Sequence, residues 1–285
     1  MTSMVVAETA PSDAGGPPAH ADVPSGGVSL RVGAAVLWLS LIVLAPLAAI
    51  AWQSAGGGWD TFLHAVTSHA AMESFRVTLT LAFGATVVNM AFGLVIAWVL
   101  VRDDFFGKRF LDLIIDMPFA LPTIVASLVM LALYGPASPV HIHLQHTGIG
   151  VCLALAFVTL PFVVRTVQPV LLEIDKDVEE AAASLGASGL TIFRAVVLPS
   201  LAPALLTGAG LAFSRAIGEF GSGVLMGGAV PGKTEVSSQW IRTLIESDDR
   251  TGAAAISIVL LGISFLVLIG LRVLGSMVSK RDERS

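Results

Sequence analysis

Apolar residues in this chain run in long blocks rather than alternating in twos. A helix that crosses a hydrocarbon core about 30 Å thick needs roughly 20 mainly apolar residues. The blocks that meet this length are Val32–Trp52, closed by Gln53 and GGGW; Val77–Val101, closed by Arg102-Asp103-Asp104; and Leu113–Tyr134, interrupted by Pro118 and Pro122. They continue with Gly148–Leu172, which holds Pro161, Arg165 and Pro169; Leu201–Val230, glycine-rich and carrying Arg215 and Glu219; and Thr251–Leu271, uncharged throughout. The pattern predicts an all-α membrane protein, a polytopic bundle of about six transmembrane helices. Pro118 and Pro122 are expected to bend or break the third span near its cytoplasmic end, because proline removes a donor and clashes with the preceding turn. Backbone freed in this way is tolerated only against protein or a watery cavity.

Composition agrees. Only 13% of the 285 residues are charged and 55% are hydrophobic, against about 25% charged in soluble domains. The net charge of −5 is spread over tails and loops, with no basic block for nucleic acid. Cys152 is the single cysteine, so no disulfide framework exists. Residues 1–31 lack both the basic n-region and the apolar h-region of a cleavable signal and are expected to form a disordered cytoplasmic arm. The membrane domain is expected over 32–275 and a cytoplasmic tail over 276–285.

Lys and Arg counts in the loops set orientation. With both ends inside, the inner segments hold Arg31, Arg102, Lys108, Arg109, Lys176, Arg194, Arg272, Lys280, Arg281 and Arg284. The outer ones hold only Arg76, Lys233, Arg242 and Arg250. Both termini are therefore expected in the cytoplasm.

The stretch GGAVPGKT, Gly227–Thr234, matches the phosphate-loop pattern letter for letter. That pattern works only between a β-strand and a helix, where backbone N–H groups point at phosphates. Here it follows an apolar span into an outer loop, so an external turn built on Pro231 and the glycines is expected.

The inner segment joining the fourth and fifth spans, 173–199, reads EIDKDVEEAAASLGASGLTIFRAVVLPS from Glu173 to Ser200. Ile174, Val178, Ala181, Ala182 and Leu185 recur at helical spacing and predict an apolar stripe. Asp177 and Glu180 have the spacing of a capping box, and Gly186 suits a left-handed helix end. A second short helix is expected to run to Val197, with a turn at Pro199. Membrane-surface helices favour Lys and Arg opposite bulky apolar residues. This one carries Glu173, Asp175, Asp177, Glu179 and Glu180 opposite alanines, which fits a protein groove better.

The same segment carries a resemblance. Glu180-Ala181-Ala182, three residues, Gly186, nine residues, then Val196-Val197-Leu198-Pro199 resembles the EAA motif of ABC-importer permeases, departing only in Val196 where the motif has Ile. DMPFALPTIVASLVMLALYG, FVTLPFVVRTVQPVLLEI and LAFSRAIGEFGSGVLMGGAVPGKTEV are similar to the sulfate/thiosulfate branch of that family, usually called CysT. The sister CysW and the molybdate permease share the Gly218-Glu219-Phe220-Gly221 core. The resemblance spans about residues 32 to 275. It implies the type I ABC-importer permease fold in a prokaryotic inner membrane, with the 173–199 segment as the coupling helices. The implied partners are an ATP-binding subunit in two copies, a second permease subunit such as CysW, and an external sulfate-binding protein. Glu179, Glu180, Ala181, Ala182, Leu185 and Gly186 become the expected ATPase-docking surface. A molybdate or tungstate permease is the alternative within the family.

Arg215 and Glu219, four residues apart inside a span, share one helix face. Either they neutralise each other and lock packing, or Arg215 faces the route and offsets the charge of a passing dianion. With Gly218, Phe220 and Gly221 they are the pathway or gate candidates. Arg165 is expected to snorkel to the interface. His141, His143 and His146 invite a metal site, but solvated loop residues fit them better. No Ser-His-Asp set or H-E-x-x-H helix appears, so no catalytic residue, metal or cofactor is expected and ATP hydrolysis falls to a partner. A secondary transporter, the rival class, shows internal repeats, and no convincing one exists here.

Overall fold

The computed structural model describes residues 25–282; the expected arm up to residue 24 lies outside the described residues, and a helix begins at Ser25. In chain order the helices are α1 (Ser25–Leu39), a π-helical turn (Ser40–Leu44), α2 (Ala45–Ala55), α3 (Gly58–Thr67), α4 (His69–Arg102), α5 (Lys108–Ala120), α6 (Thr123–Tyr134) and α7 (Gly148–Glu173). They continue with α8 (Lys176–Ser184), α9 (Gly189–Ile192), a second π-helical turn (Phe193–Val197), α10 (Leu198–Ile217), α11 (Gly221–Gly227), α12 (Ser237–Glu246) and α13 (Arg250–Asp282). The chain divides into two units, 1–48 and 49–285.

Five helical runs are long and apolar enough to span a bilayer: Arg31–Ala55, His69–Arg102, Gly148–Glu173, Gly189–Ile217 and Arg250–Gly275. The third expected span is the broken pair α5 and α6, bent by 118°. The break falls at Leu121-Pro122, where Pro122 caps α6 in extended geometry (ψ 135°). Pro118, by contrast, stays inside α5. The first helix of the pair starts at Lys108, earlier than the apolar block suggests, because left-handed Gly107 (φ 89°) launches it.

The second unit is centred on α4, α7 and α10. One end of its core joins Phe75, Leu155, Phe213, Ile217 and Ile256. The other joins Leu100, Ile115, Val163, Val167, Leu171 and Leu201. Glycines permit the close approach that membrane helices need. A Cβ on Gly93 would lie 2.9 Å from Val163 Cγ1, and one on Gly208 would lie 3.0 Å from Val163 Cα. Asn89, fully buried, donates to the Ala156 carbonyl (3.1 Å) and Thr159 Oγ1 (2.8 Å), tying α4 to α7.

Three sequence expectations change. No turn occurs at Pro199: α9, the π turn and α10 form one run, Gly189–Ile217. Pro199 lies inside that run, two residues past the π-helical turn Phe193–Val197. The fifth span does not reach Val230, because the helix ends at Ile217 and restarts at Gly221. Arg165 does not snorkel alone. Its guanidinium donates to Asp112 Oδ1 (2.6 Å), to both Asp116 oxygens (2.7 and 2.6 Å), to Gln168 (2.7 Å) and to the Asp112 carbonyl (2.9 Å), fastening α5 to α7.

Candidate functional site

Two places gather the functional candidates. The first is α8. Its cap is Asp175, whose carboxylate accepts from the Asp177 N–H at 3.0 Å, two residues earlier than the expected Asp177 box. Its far end closes as a Schellman turn: Gly186 N–H donates to Ala183 (2.9 Å) and Ala187 N–H to Ala182 (3.1 Å), with Gly186 left-handed at φ 86°. No residue of α8 is buried. Glu180 and Ala181 are exposed and Ala182 half-buried, while Leu185 is 89% exposed. Glu179 differs, pairing with Arg102 at the end of α4. The docking candidates therefore divide: most face outward, and Glu179 faces the bundle.

The second place is the break between α10 and α11. Gly218, Glu219 and Phe220 link the two helices, and Arg215 pairs with Glu219 across the break. The Glu219 side chain is 1% exposed and that of Arg215 36%. The other Glu219 oxygen accepts the Ser222 N–H at 3.0 Å, so one carboxylate caps α11 and neutralises Arg215. The Glu219 carbonyl accepts from Ser238 Oγ at 2.9 Å, bringing in the start of α12. Phe220 lies under the Arg242 guanidinium, 6.0 Å from its ring centroid.

Two glycines of the break differ in kind. A Cβ on Gly221 would meet Thr123 Oγ1 at 2.2 Å and the Ile124 amide nitrogen at 2.8 Å, whereas one on Gly218 meets nothing within 4 Å. Gly221→Ala is therefore expected to force α11 off the start of α6, destabilising by about 1–3 kcal/mol, the usual range for overpacking. Gly218→Ala is expected to be tolerated. Thermal melting of the two purified variants checks this contrast.

The GGAVPGKT stretch begins at Gly227, the last residue of α11, and no strand occurs among the described residues. The N–H groups of Lys233, Thr234 and Glu235 all turn inward onto the Val230 carbonyl (3.1, 2.9 and 3.0 Å), and the buried Thr234 hydroxyl donates to Gly227 (2.6 Å). Glu73 lines the same notch as Lys233 and Arg76. The Glu235 carboxyl is pushed up by burial and by the nearby Glu73. Inward amides and an acidic neighbour make a turn, not a phosphate cradle. The histidines also have assigned contacts: His143 Nδ1 lies 2.9 Å from the Gly135 carbonyl and His146 Nδ1 3.3 Å from that of Gly227. Among the described residues no three His, Cys, Asp or Glu side chains gather as a metal set.

Asp112 and Asp116 are partners that local pattern does not name, although two carboxylates four residues apart in an apolar stretch point to a nearby cation. Nor does it single out α12 or Arg102. Arg102 looked like a charge closing a span, and nothing local distinguishes it from one.

Residues 89–280 match the model of the binding-protein-dependent transport system inner membrane component. The chain belongs to that family. Among its relatives, the sulfate transport system permease protein CysT of Salmonella typhimurium is 41% identical over 262 residues, covering 90% of this chain and 95% of the relative. The Escherichia coli CysT is 40% identical with the same coverage. A bacterial alginate ABC transporter in complex with an alginate pentasaccharide-bound periplasmic protein aligns with a TM-score of 0.73 at 13% identity, over 86% of this chain and 92% of that one. The inward-facing MetNI methionine transporter aligns at 0.58 and 21%, over 73% and 95%. At these identities the likeness is one of fold: an ABC-importer permease. As a member of the family, the chain is an integral membrane protein that works with an ATP-binding subunit and a substrate-binding protein.

Proposed function

We propose that this chain is one permease half of an ATP-driven importer of sulfate or thiosulfate. It would sit in the inner membrane with both termini in the cytoplasm and contribute no hydrolytic chemistry of its own. One of two ATPase copies docks on the coupling segment of this chain, a sister permease of the CysW type completes the route, and an external binding protein delivers the anion. The observation that carries the reading is α8: a capped helix with no fully buried residue, bearing Glu180-Ala181-Ala182 and an exposed Leu185 between membrane spans. Exposed apolar area flanked by Asp175, Lys176, Asp177 and Glu180 is placed for water and a protein partner rather than for lipid. The anion assignment rests on the extent of the similarity to sulfate permeases.

At the other site, Arg215 offers a cation open on one side, with Glu219 holding it from behind. A passing dianion meets a positive charge already compensated by the protein, which favours entry without trapping. Right-side-out vesicles loaded with ATP and supplied with the binding protein test the whole reading. Labelled sulfate uptake is expected to need internal ATP and to survive collapse of the proton gradient. Uptake that follows the gradient instead overturns the ATP-driven reading, and equal competition by molybdate overturns the anion assignment.

A further inference from the structure

A docked helix transmits movement only through whatever joins it to the membrane bundle. Since no residue of α8 is fully buried, its packing against the bundle is slight, and the Glu179–Arg102 ion pair joins it to a membrane-crossing helix. Both side chains are well covered, at 22% and 11% exposed. Arg102 Nη2 also lies 3.5 Å from the Ile174 carbonyl, in the link that enters α8. The guanidinium sits 5.8 Å from the Trp98 ring centroid. Trp98 meets Phe193 edge to face at 5.5 Å, on the segment that leaves α8. One side chain at the last turn of α4 thus reaches the entry to the coupling helix and the helix itself, and through Trp98 its exit.

From Arg102, α4 runs back 34 residues, roughly 50 Å at 1.5 Å per residue. Near its other end Thr78 Oγ1 accepts the Ser237 N–H at 2.7 Å, and Ser74 Oγ lies 3.3 Å from Ser237 Oγ. The next residue, Ser238, donates to the Glu219 carbonyl. Contacts are therefore continuous from α8, along a rigid helix, to the Arg215–Glu219 break.

We infer that Arg102 is a positioning residue for coupling: it converts movement of the docked α8 into movement of α4, and α4 carries it to the break. Glu179 is the handle by which α8 holds Arg102, and so it serves the bundle rather than the ATPase groove. The inference rests on the reading of α8 as the ATPase-docking helix. Spatial continuity alone does not establish coupling, so the readout must be coupling itself.

The complete complex, reconstituted in proteoliposomes with its external binding protein, gives the ratio of labelled sulfate moved to ATP hydrolysed. Arg102→Met is expected to lower that ratio at least fivefold, and Glu179→Gln to reproduce the defect. The charge swap Arg102→Glu with Glu179→Arg is expected to restore at least half of the ratio. An unchanged ratio in Arg102→Met, or a swap no better than the single variants, overturns the inference. If Arg102→Met does not assemble, the swap decides alone: assembly with coupling supports the strut, and assembly without coupling refutes it. A wild-type complex that moves sulfate without ATP would instead defeat the proposed function, so the two failures are distinct.

Discussion

Arg215→Gln is expected to reduce uptake below a tenth of wild type and to lower the melting temperature of the purified complex by several degrees. The cause is Glu219, which is 1% exposed and has no route to water when its partner is removed. Removing one member of a buried pair costs about 3–5 kcal/mol, since the remaining charge is uncompensated; the open side of Arg215 places this pair at the lower end. Glu219→Gln is expected to be milder. Glutamine keeps the shape, still accepts the Ser222 N–H and leaves Arg215 free to turn toward open space. The double variant Arg215→Gln with Glu219→Gln separates the two roles of the pair. It is expected to regain most of the melting temperature, because no charge is left stranded, yet to remain defective in uptake, because the cation proposed to offset the anion is gone. Recovery of uptake in the double variant would make the pair a packing device alone.

The sequence made the helical membrane class and the coupling segment legible for different reasons. Apolar block length is a direct consequence of bilayer thickness, so the spans at Gly148 and Thr251 lie inside the helices found, Gly148–Glu173 and Arg250–Asp282. Gly186 was readable because a left-handed helix end selects glycine, and it adopts φ 86°. What escaped were features decided by contacts between distant residues. The break after Ile217 sits in a stretch that stays mainly apolar to Val230, and it is fixed by Gly221 packed on the distant Thr123, with Glu219 capping α11 locally. Pro199 looked like a turn because proline often ends a helix. Here it sits inside a continuous run, and the π turn at Phe193–Val197 just before it absorbs the irregularity. The pairing of Arg215 with Glu219 followed from spacing. The partners of Arg165 did not, since Asp112 and Asp116 lie some fifty residues away along the chain.

Leu185→Asp is expected to release the ATPase subunit while leaving the permease itself as stable as before. Leu185 is 89% exposed, so its loss removes no internal packing, and α8 has no buried residue to disturb. Seated in a partner's groove, a leucine of this size contributes about 1.5–3 kcal/mol of burial. Since each 1.4 kcal/mol is a factor of ten in affinity, co-purification of the ATPase should fall by at least tenfold, and further because an aspartate in an apolar groove is itself unfavourable. Gly186→Val tests the same surface through its backbone, at a docking position that has no side chain of its own. Forcing a β-branched residue into the left-handed region costs about 1–2 kcal/mol, enough to fray the Schellman turn and move Leu185 out of register. The two variants should therefore share the docking defect while differing in cause, and melting of the isolated permease should change in neither. An ATPase subunit that still co-purifies with Leu185→Asp at wild-type yield would mean that α8 is not the surface it grips.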